Sequence, residues 1–449
     1  MKQLLYNAKI INEGKEFIGY VAIAADGYIA EVGEGTPSAD IMNRFDNNQS
    51  DLKGNWLLPG VIDSHVHFRE PGNEHKATIY TESRAAVAGG VTSYMEMPNT
   101  NPATTTIEAL EDKFERARRD SIANYSFYIG ATKDNIEVLK SIDYSRVPGV
   151  KLFMGSSTGG MLVDGDDALC QIFKLPVLIA AHCEDEATIQ HNTAALKQLY
   201  SDGAPEIEWH PEIRSALACC KSTAHAIELA KKYDTRLHIM HLTTLQEVKL
   251  LAEAPENITG EACIAHLIFD DTDYATLGTK IKCNPAVKSH PHRQALRKAV
   301  ADNIISTIST DHAPHTLDEK NNTLFKAPSG MPMVQFSLPV MIDYFINSDH
   351  GIPKLVKMMC HNQAEIFGIE KRGYIRKGYY ADLVQIDPEK QTEVNADTIL
   401  SKCGWSPLEG MTFKSKVIRT WVNGKVVYTQ DDGIIESNRS PRPLSFKKP

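Results

Sequence analysis

The sequence predicts an α/β protein: a (β/α)8 TIM-type barrel with a small β-sandwich built from both ends of the chain. Apolar, strand-like runs alternate with helix-period segments through the middle of the sequence. Short β-type runs separated by turns occupy both ends, without a long helical period. Histidine, lysine and aspartate residues follow several of the central runs, and such a barrel places its functional residues at the C-terminal ends of its strands.

The composition is that of a globular protein with more than one core. The chain has 449 residues, 42% hydrophobic and 23% charged, which predicts one large and one smaller domain. A net charge of −9 argues against nucleic acid as a partner. We expect no membrane partner either, because no apolar run reaches the roughly 18 residues of a spanning helix. Eight scattered cysteines and the lack of a secretory leader predict reduced thiols in the cytoplasm.

Three segments follow from this pattern. Residues 1–56 are expected to form the N-terminal part of the β-sandwich, residues 57–370 the barrel, and residues 371–449 the C-terminal part of the sandwich and a tail. The tail, Arg439–Pro449, is rich in proline and lysine, which is typical of an exposed terminus. The eight expected barrel strands are Leu57–Asp63, Val91–Met97, Tyr125–Ala131, Gly149–Phe153, Pro176–Ala181, Arg236–His241, Ile258–Ile264 and Ile304–Thr310.

Two histidines end the first of these runs. His65 and His67 are two residues apart, so on a strand their side chains point to the same face. Two neighbouring imidazoles at a strand end form half of a metal site. The alternative is a pair of surface histidines near a turn, but the apolar run before them and the Arg-Glu-Pro-Gly turn after them favour a buried strand.

Further metal-ligand residue types lie at other strand exits: Lys151, His182, His241 and Asp311. Four histidines, an aspartate and a lysine can hold two zinc ions if the lysine supplies an oxygen bridge. A free ammonium cannot bind a cation, whereas the carbamate formed with CO2 is a carboxylate-like anion. Burial would lower the pKa of Lys151 and favour that reaction. The alternative, a buried lysine paired with an acidic side chain, stays open on spacing alone.

This set of residues predicts a metal-dependent hydrolase that cleaves a C–N bond. Two zinc ions can share a hydroxide near neutral pH, which suits attack on an amide carbonyl. Asp311 is the expected acid–base group, because it can contact both a metal and the hydroxide. His238 is expected to be a core residue and Asp63 a strand-end polar residue, while His266 stays open. The pattern does not choose the substrate.

Three motifs carry a family resemblance: Asp63–Gly72, Thr310–His315, and Gly89–Thr92 followed by Met97–Thr100. At these motifs, and over nearly the whole chain, the sequence resembles the amidohydrolase superfamily and, within it, the dihydroorotase family. The resemblance implies reversible hydrolysis of L-dihydroorotate to N-carbamoyl-L-aspartate in pyrimidine biosynthesis. It also implies a homodimer.

The resemblance assigns a role to each candidate site residue. It implies that Asp311 is the acid–base group, that Arg69, Asn99 and His315 hold a substrate carboxylate, and that Asn284 contacts the substrate. The implied ligands of the two zinc ions are His65, His67, carboxylated Lys151, His182, His241 and Asp311.

Other functions compete with this one. A hydantoinase or allantoinase would share the metal ligands, but Arg69 and the spacing of Asp311 and His315 argue against it. A non-catalytic scaffold would have lost metal ligands, whereas all six positions are filled. A mononuclear deaminase is disfavoured by Lys151 on the fourth strand. Two segments differ from the usual family pattern, Asn284–Lys288 and 327–333, so we expect differences in substrate contacts rather than in the metal core.

Overall fold

The computed structural model describes residues 2–45, 48–155, 160–200 and 205–448. Within them, eight parallel strands form a closed barrel, numbered β1 to β8 in chain order. The His67 amide closes the ring between β8 and β1 by donating to the His312 carbonyl at 2.7 Å. The predicted barrel is therefore confirmed. Its strands are Val61–Val66, Val91–Glu96, Asn124–Phe127 continued by Ile129–Gly130, Val150–Phe153, Ile179–His182, Leu237–Ile239, Ile258–Cys263 and Thr307–Ser309.

Helices connect successive barrel strands. Threonine side chains begin three of them, because Thr78, Thr106 and Thr244 each accept a hydrogen bond from a first-turn backbone amide. The α-helices are Ala39–Asn43, Ile79–Ala88, Ile107–Asp120, Ile136–Ser141, Asp166–Phe173, Glu186–Leu199, His210–Ile213, Ala216–Tyr233, Leu245–Ala252, Ile264–Ile268, Tyr274–Leu277, His290–Ala301, Leu317–Lys320, Ser337–Ile346, Gly351–Val356 and Asn362–Phe367. A π-turn, Lys357–His361, joins the last two, and 3-10 turns span Ile207–Trp209, Asp271–Asp273, Gly278–Ile281, Val334–Phe336 and Glu436–Asn438.

Both ends of the chain contribute to a second unit, as predicted. It is one nine-stranded sheet with an apolar cluster of its own, which includes Leu57, Leu383 and Trp421. The strands are Gln3–Asn12, Lys15–Ile23, Ile29–Glu34, Gln49–Asp51, Trp56–Pro59, Leu383–Asp387, Lys416–Val422, Lys425–Thr429 and Gly433–Ile434. A two-stranded ribbon of Thr392–Glu393 and Thr412–Phe413 completes the strands of this region.

The run expected as the first barrel strand is divided between the two units. Trp56–Pro59 pairs with Leu383–Asp387 in the outer sheet, and the barrel begins at Val61 rather than at residue 57. Gly60 makes the change of sheet possible, because a Cβ atom there would lie 2.2 Å from the Thr92 hydroxyl. The sequence shows no boundary between the two strands, because both are buried and form one continuous apolar run.

The expected surface tail is wrong for its central residues. Leu444 and Phe446 are buried, with 1% and 3% of their surface exposed. The Leu444 amide donates to the Tyr125 carbonyl at 2.8 Å, and the Phe446 amide donates to Ser145 at 2.9 Å. These two apolar side chains, two residues apart, anchor a segment whose proline and lysine content suggested exposure. In the part of the chain that the structure describes, no helix has the length and apolar character needed to span a membrane.

Candidate metal centre and active site

The ten candidate site residues line one cavity of about 320 Å³ at the C-terminal ends of the barrel strands. They come from the ends of seven barrel strands and the connections that follow them, which is where this fold places functional groups. They are His65, His67, Arg69, Asn99, Lys151, His182, His241, Asn284, Asp311 and His315. The fold therefore brings together side chains that are up to 250 positions apart in sequence.

His65 and His67 direct the same type of nitrogen at Asp311. The Nδ1–H of His65 donates to Glu261 at 2.8 Å, and the Nδ1–H of His67 donates to the Asn99 side-chain oxygen at 2.8 Å. Both partners are acceptors, so each ring keeps a lone pair on Nε2. These Nε2 atoms lie 3.2 Å and 3.1 Å from Oδ1 of Asp311. Lone pairs and a carboxylate oxygen thus converge without a proton between them.

A second pair of imidazoles, His182 and His241, also directs nitrogens into the cavity. The Nε2–H of His182 donates to Glu184 at 2.9 Å, which leaves a lone pair on Nδ1. This Nδ1 lies 2.9 Å from Nε2 of His241. The two pairs adjoin, because the ring centroids of His65 and His241 are 5.3 Å apart. The inward-facing nitrogens of the two histidine pairs therefore lie next to each other in the cavity.

Lys151 lies fully buried at the same strand ends. Burial lowers the pKa of its amine to about 8, so an appreciable neutral fraction exists near neutral pH. Its Nζ contacts Met240 Sδ at 2.8 Å, and no carboxylate among the described residues forms an ion pair with it. The alternative of an acid-paired lysine therefore finds no support in the described part of the chain.

These residues fit a metal centre. The ligand atoms of His65, His67 and Asp311 all lie within 4.8 Å of one another. A cation between them would satisfy the facing lone pairs and the carboxylate. Three of the four histidines, His65, His67 and His182, are already oriented through their outer nitrogen, by Glu261, Asn99 and Glu184 respectively, as is usual for histidines that bind metals.

Three site residues adopt left-handed backbone conformations. The φ angles are 69° at Arg69, 36° at His241 and 49° at Asp311. Side chains with a Cβ atom rarely occupy this region, and such residues concentrate at functional sites where surrounding contacts hold them. Asp63 supplies one such contact near Asp311: its carboxylate accepts a hydrogen bond from the Thr310 hydroxyl at 2.6 Å.

Arg69 and His315 form the opposite end of the cavity. The Nη2 atom of Arg69 lies 2.9 Å from Nε2 of His315, and its Nε donates to the Pro314 carbonyl at 2.9 Å. Burial holds the pKa of His315 well below its usual range, so the ring is neutral. The Lys76 ammonium donates to Nδ1 at 3.1 Å, so the proton lies on Nε2 and points to the Ser329 carbonyl at 3.0 Å.

Two further candidates differ in their contacts. The Oδ1 atom of Asn284 is buried and has no hydrogen-bond partner among the described residues. It therefore offers an acceptor to a ligand in the cavity. Asn99 uses its oxygen to orient His67, a contact that the sequence pattern did not suggest.

Sequence reasoning missed several residues that hold the site together. Glu184 follows His182 by two positions, and Glu261 lies in a strand that was predicted as buried, where an acidic residue is itself unusual. Arg214 forms an ion pair with Glu184. His238, which was expected to be a core residue, is buried and contacts the Thr259 hydroxyl at 2.7 Å. His266, left open by the sequence, contacts the carbonyl of Pro285 at 3.0 Å.

The class of protein follows from this fold and site together with sequence comparison. Residues 56–427 match the amidohydrolase family, so the chain belongs to that family. The similar curated proteins are dihydroorotases. The chain is 35% identical to the dihydroorotase of Halobacterium salinarum over 357 residues, 79% of this chain and 82% of that protein. It is 31% identical to the dihydroorotase of Bacillus subtilis over 446 residues, 96% and 99% of the two chains.

Solved structures agree on the fold. An L-hydantoinase from Arthrobacter aurescens superposes with a TM-score of 0.91 at 25% identity, covering 99% of this chain and 100% of its own. A dihydropyrimidinase from Brevibacillus agri superposes with a TM-score of 0.89 at 23% identity, covering 100% of both chains. The predicted resemblance to dihydroorotases within the amidohydrolases is therefore confirmed by sequence, and the barrel with its extra domain by structure.

Proposed function

We propose that this protein is a dihydroorotase, which interconverts L-dihydroorotate and N-carbamoyl-L-aspartate, and that it uses two zinc ions and a carboxylated Lys151. The observation that carries the proposal is the layout of the cavity. An arginine–histidine pair occupies one end, and a set of inward-facing metal ligands occupies the other. Dihydroorotate is a small ring with a carboxylate on one side and an amide on the other. Its carboxylate matches the arginine–histidine end of the cavity, and its amide matches the end with the metal ligands.

The ligands divide into two sets. His65, His67 and Asp311 would hold one ion, His182 and His241 would hold the other, and the carbamate of Lys151 would bridge them. When bound, the ions supply Lewis acidity, which polarises the amide carbonyl and makes water a nucleophile near neutral pH. Glu261 and Glu184 keep the outer nitrogens of His65 and His182 protonated, so the inner nitrogens stay available as ligands.

Asp311 moves the proton. In hydrolysis its carboxylate takes a proton from the attacking water and gives it to the ring nitrogen as the carbon–nitrogen bond breaks. Ring closure runs the same transfer in reverse. The left-handed backbone of Asp311 and the Asp63–Thr310 hydrogen bond fix the carboxylate at the strand end. The side chain is therefore positioned before the substrate arrives.

Arg69, His315 and Asn284 bind the substrate in this proposal. A carboxylate placed between the Arg69 guanidinium and the Nε2–H of His315 receives charge-assisted hydrogen bonds from both. The unpartnered oxygen of Asn284 accepts a hydrogen bond from a substrate N–H. These contacts orient the ring amide toward the metal ligands.

The test is cyclisation of carbamoyl aspartate by the purified protein, with metal content measured on the same sample. We expect dihydroorotate to form and about two zinc ions to be present per chain. A thermal-shift comparison of orotate with hydantoin and allantoin separates the rival enzymes, because only a ligand that binds the native state raises the melting temperature. Hydrolysis of hydantoin or allantoin without turnover of dihydroorotate would favour the hydantoinase or allantoinase alternative. A protein that holds no metal and turns over none of these substrates would favour the non-catalytic scaffold.

Two further expectations accompany the proposal. The resemblance implies a homodimer, which sedimentation would detect as twice the 49.8 kDa chain mass. A cytoplasmic location is supported by eight free cysteines, five of them buried. Fractionation with a tagged full-length chain would test it.

A further inference from the structure

Two buried lysines lie behind the cationic end of the cavity. Lys320 is fully buried, and its Nζ donates to the carbonyls of Lys282 at 3.0 Å, Pro328 at 3.0 Å and Gly330 at 2.8 Å. Lys282 lines the cavity, and its Nζ donates to the carbonyls of Leu324 at 2.7 Å and Ala327 at 2.5 Å. Both ammonium groups therefore bind the backbone of one stretch, segment 324–330.

Segment 324–330 forms the wall that meets Arg69 and His315. The Ser329 carbonyl contacts Nε2 of His315 at 3.0 Å. Gly330 approaches so closely that a Cβ atom there would lie 3.2 Å from Nη2 of Arg69 and 2.5 Å from the Ala313 carbonyl. The Gly330 amide also donates to the Lys282 carbonyl at 2.8 Å. A shift of this segment would therefore move the groups that face a bound carboxylate.

The charges at this end are not neutralised by the protein. Among the described residues, Arg69, Lys282 and Lys320 donate hydrogen bonds to backbone carbonyls and form no ion pair with a carboxylate. Burial of an unpaired cation is costly, so such groups are rare in structures. Arg69 and Lys282 line the cavity and Lys320 lies behind Lys282, in a chain whose net charge is −9. An anionic ligand in the cavity would supply the missing negative charge.

We infer that Lys282 and Lys320 are positioning and specificity residues: they fasten segment 324–330 against Arg69 and His315, and their charge selects an anionic substrate with a preference for the open-chain dianion. The inference rests on the proposed function and deepens it. N-carbamoyl aspartate carries two carboxylates and dihydroorotate carries one. Fixed cations in a cavity of low dielectric attract the dianion more strongly.

The test uses Lys282→Met and Lys320→Met in the full-length, metal-loaded protein. Methionine keeps much of the length of the side chain and removes the ammonium group. We expect KM for carbamoyl aspartate to rise at least tenfold, KM for dihydroorotate to rise less, and kcat to stay within about threefold. Lys282→Arg, which restores the charge, is expected to recover most of the loss.

The matched control is Lys354→Met. Lys354 is also a buried lysine that donates to a backbone carbonyl, Ala301 at 2.7 Å, but Ala301 ends the helix that precedes β8, so this contact lies at the opposite end of the barrel. We expect this variant to keep both KM values. Equal rises in the control and the test variants, or unchanged KM in folded Lys282→Met, would overturn the inference. Should Lys320→Met fail to fold, Lys282→Met alone decides.

A second readout does not depend on turnover. Hydrogen exchange of the amides in segment 324–330 is expected to accelerate in Lys282→Met and to stay unchanged in Lys354→Met. Unchanged exchange in Lys282→Met overturns the fastening role even if the enzyme is active. A wild-type protein that does not cyclise carbamoyl aspartate, yet shows the accelerated exchange in the variant, would reject the proposed function while leaving the fastening role in place.

Discussion

The Nδ1 atom of His182 and the Nε2 atom of His241 face each other at 2.9 Å across the neighbouring ends of β5 and β6. Glu184 holds the proton of His182 on the outer nitrogen, so the inner nitrogen of that ring presents a lone pair. The Nδ1 atom of His241 is buried and has no partner among the described residues. The pair is thus arranged to share a cation, and the same logic applies to His65 and His67 in front of Asp311.

Glu261 holds the proton of His65 on Nδ1. Glu261→Gln places an amide opposite Nδ1 and weakens the orientation of the ring, so we expect metal affinity to fall about 10- to 100-fold. Competition with a chelator measures the affinity. Glu247→Gln is the control, since Glu247 is a buried carboxylate whose side-chain partners within the described residues are threonines, such as Thr244 at 2.9 Å. Equal metal retention in the Glu261 variant and the wild type would contradict this role.

Removal of the Lys151 side chain should abolish the metal bridge. We expect Lys151→Ala to lose most of its metal and at least a hundredfold in activity, because the two ligand sets no longer share an anion. Metal analysis of the purified variant, paired with the cyclisation assay, provides the measurement. Lys354→Ala serves as the control for loss of a buried lysine. A Lys151 variant with two ions and normal turnover would reject the bridge.

Asp311→Ala tests the proton transfer. We expect kcat to fall about 10²- to 10⁴-fold, the usual contribution of a positioned acid–base group. KM should change by only a few-fold, since Arg69 and His315 still bind the carboxylate. Steady-state kinetics in both directions measure the effect, and circular dichroism checks the fold. A kcat within tenfold of the wild type would assign the proton transfer to another group.

Arg69→Met tests the carboxylate end of the cavity. The substrate carboxylate would lose its paired charge in a buried site, so we expect KM for dihydroorotate to rise at least thirtyfold, equivalent to about 2 kcal/mol or more. Arg116→Met is the control, because Arg116 is a partly exposed residue paired with Asp112 at 2.7 Å. An unchanged KM in the Arg69 variant rejects the assigned role.

Lys320 predicts a pH dependence of substrate binding. Burial lowers its pKa from about 10.5 to about 7, so the charge is present below pH 7 and is lost as the pH rises. We expect KM for the anionic substrate to rise between pH 7 and 9, and Lys320→Met to show a smaller rise, because burial also lowers the pKa of Lys282 to about 8. In the unfolded chain Lys320 has its ordinary pKa, so the unfolded chain binds more protons than the folded protein between pH 7 and 10.5. This residue therefore makes the free energy of unfolding increase with pH over that range. Urea titrations at pH 7 and 9.5 measure it against Lys320→Met.

The local pattern of apolar and polar residues was sufficient to predict the barrel and to select the candidate metal ligands. His65 and His67 follow a buried run with strand periodicity, and the fold rule places other strand exits beside them. The division at Gly60 could not be predicted, because it depends on pairing of Trp56–Pro59 with Leu383–Asp387, more than 300 residues away. The continuity of the apolar run gave no sign of it.

The contacts that orient the site were also beyond sequence reasoning. Glu261 meets His65 across almost 200 residues, and Lys320 meets segment 324–330 through backbone carbonyls that carry no side-chain signature. The available signal in the sequence was the acidic residue Glu261 within an otherwise uncharged strand. Leu444 and Phe446 show the reverse case, in which two apolar residues outweigh the polar composition of the tail.

The central claim is that six side chains at the mouth of the barrel hold a pair of metal ions around which a cyclic amide is opened and closed. Metal analysis of the active, purified protein tests it most directly. We expect about two ions per chain, with turnover lost on chelation and regained when zinc is restored. Full turnover of dihydroorotate by protein that holds no metal would contradict it.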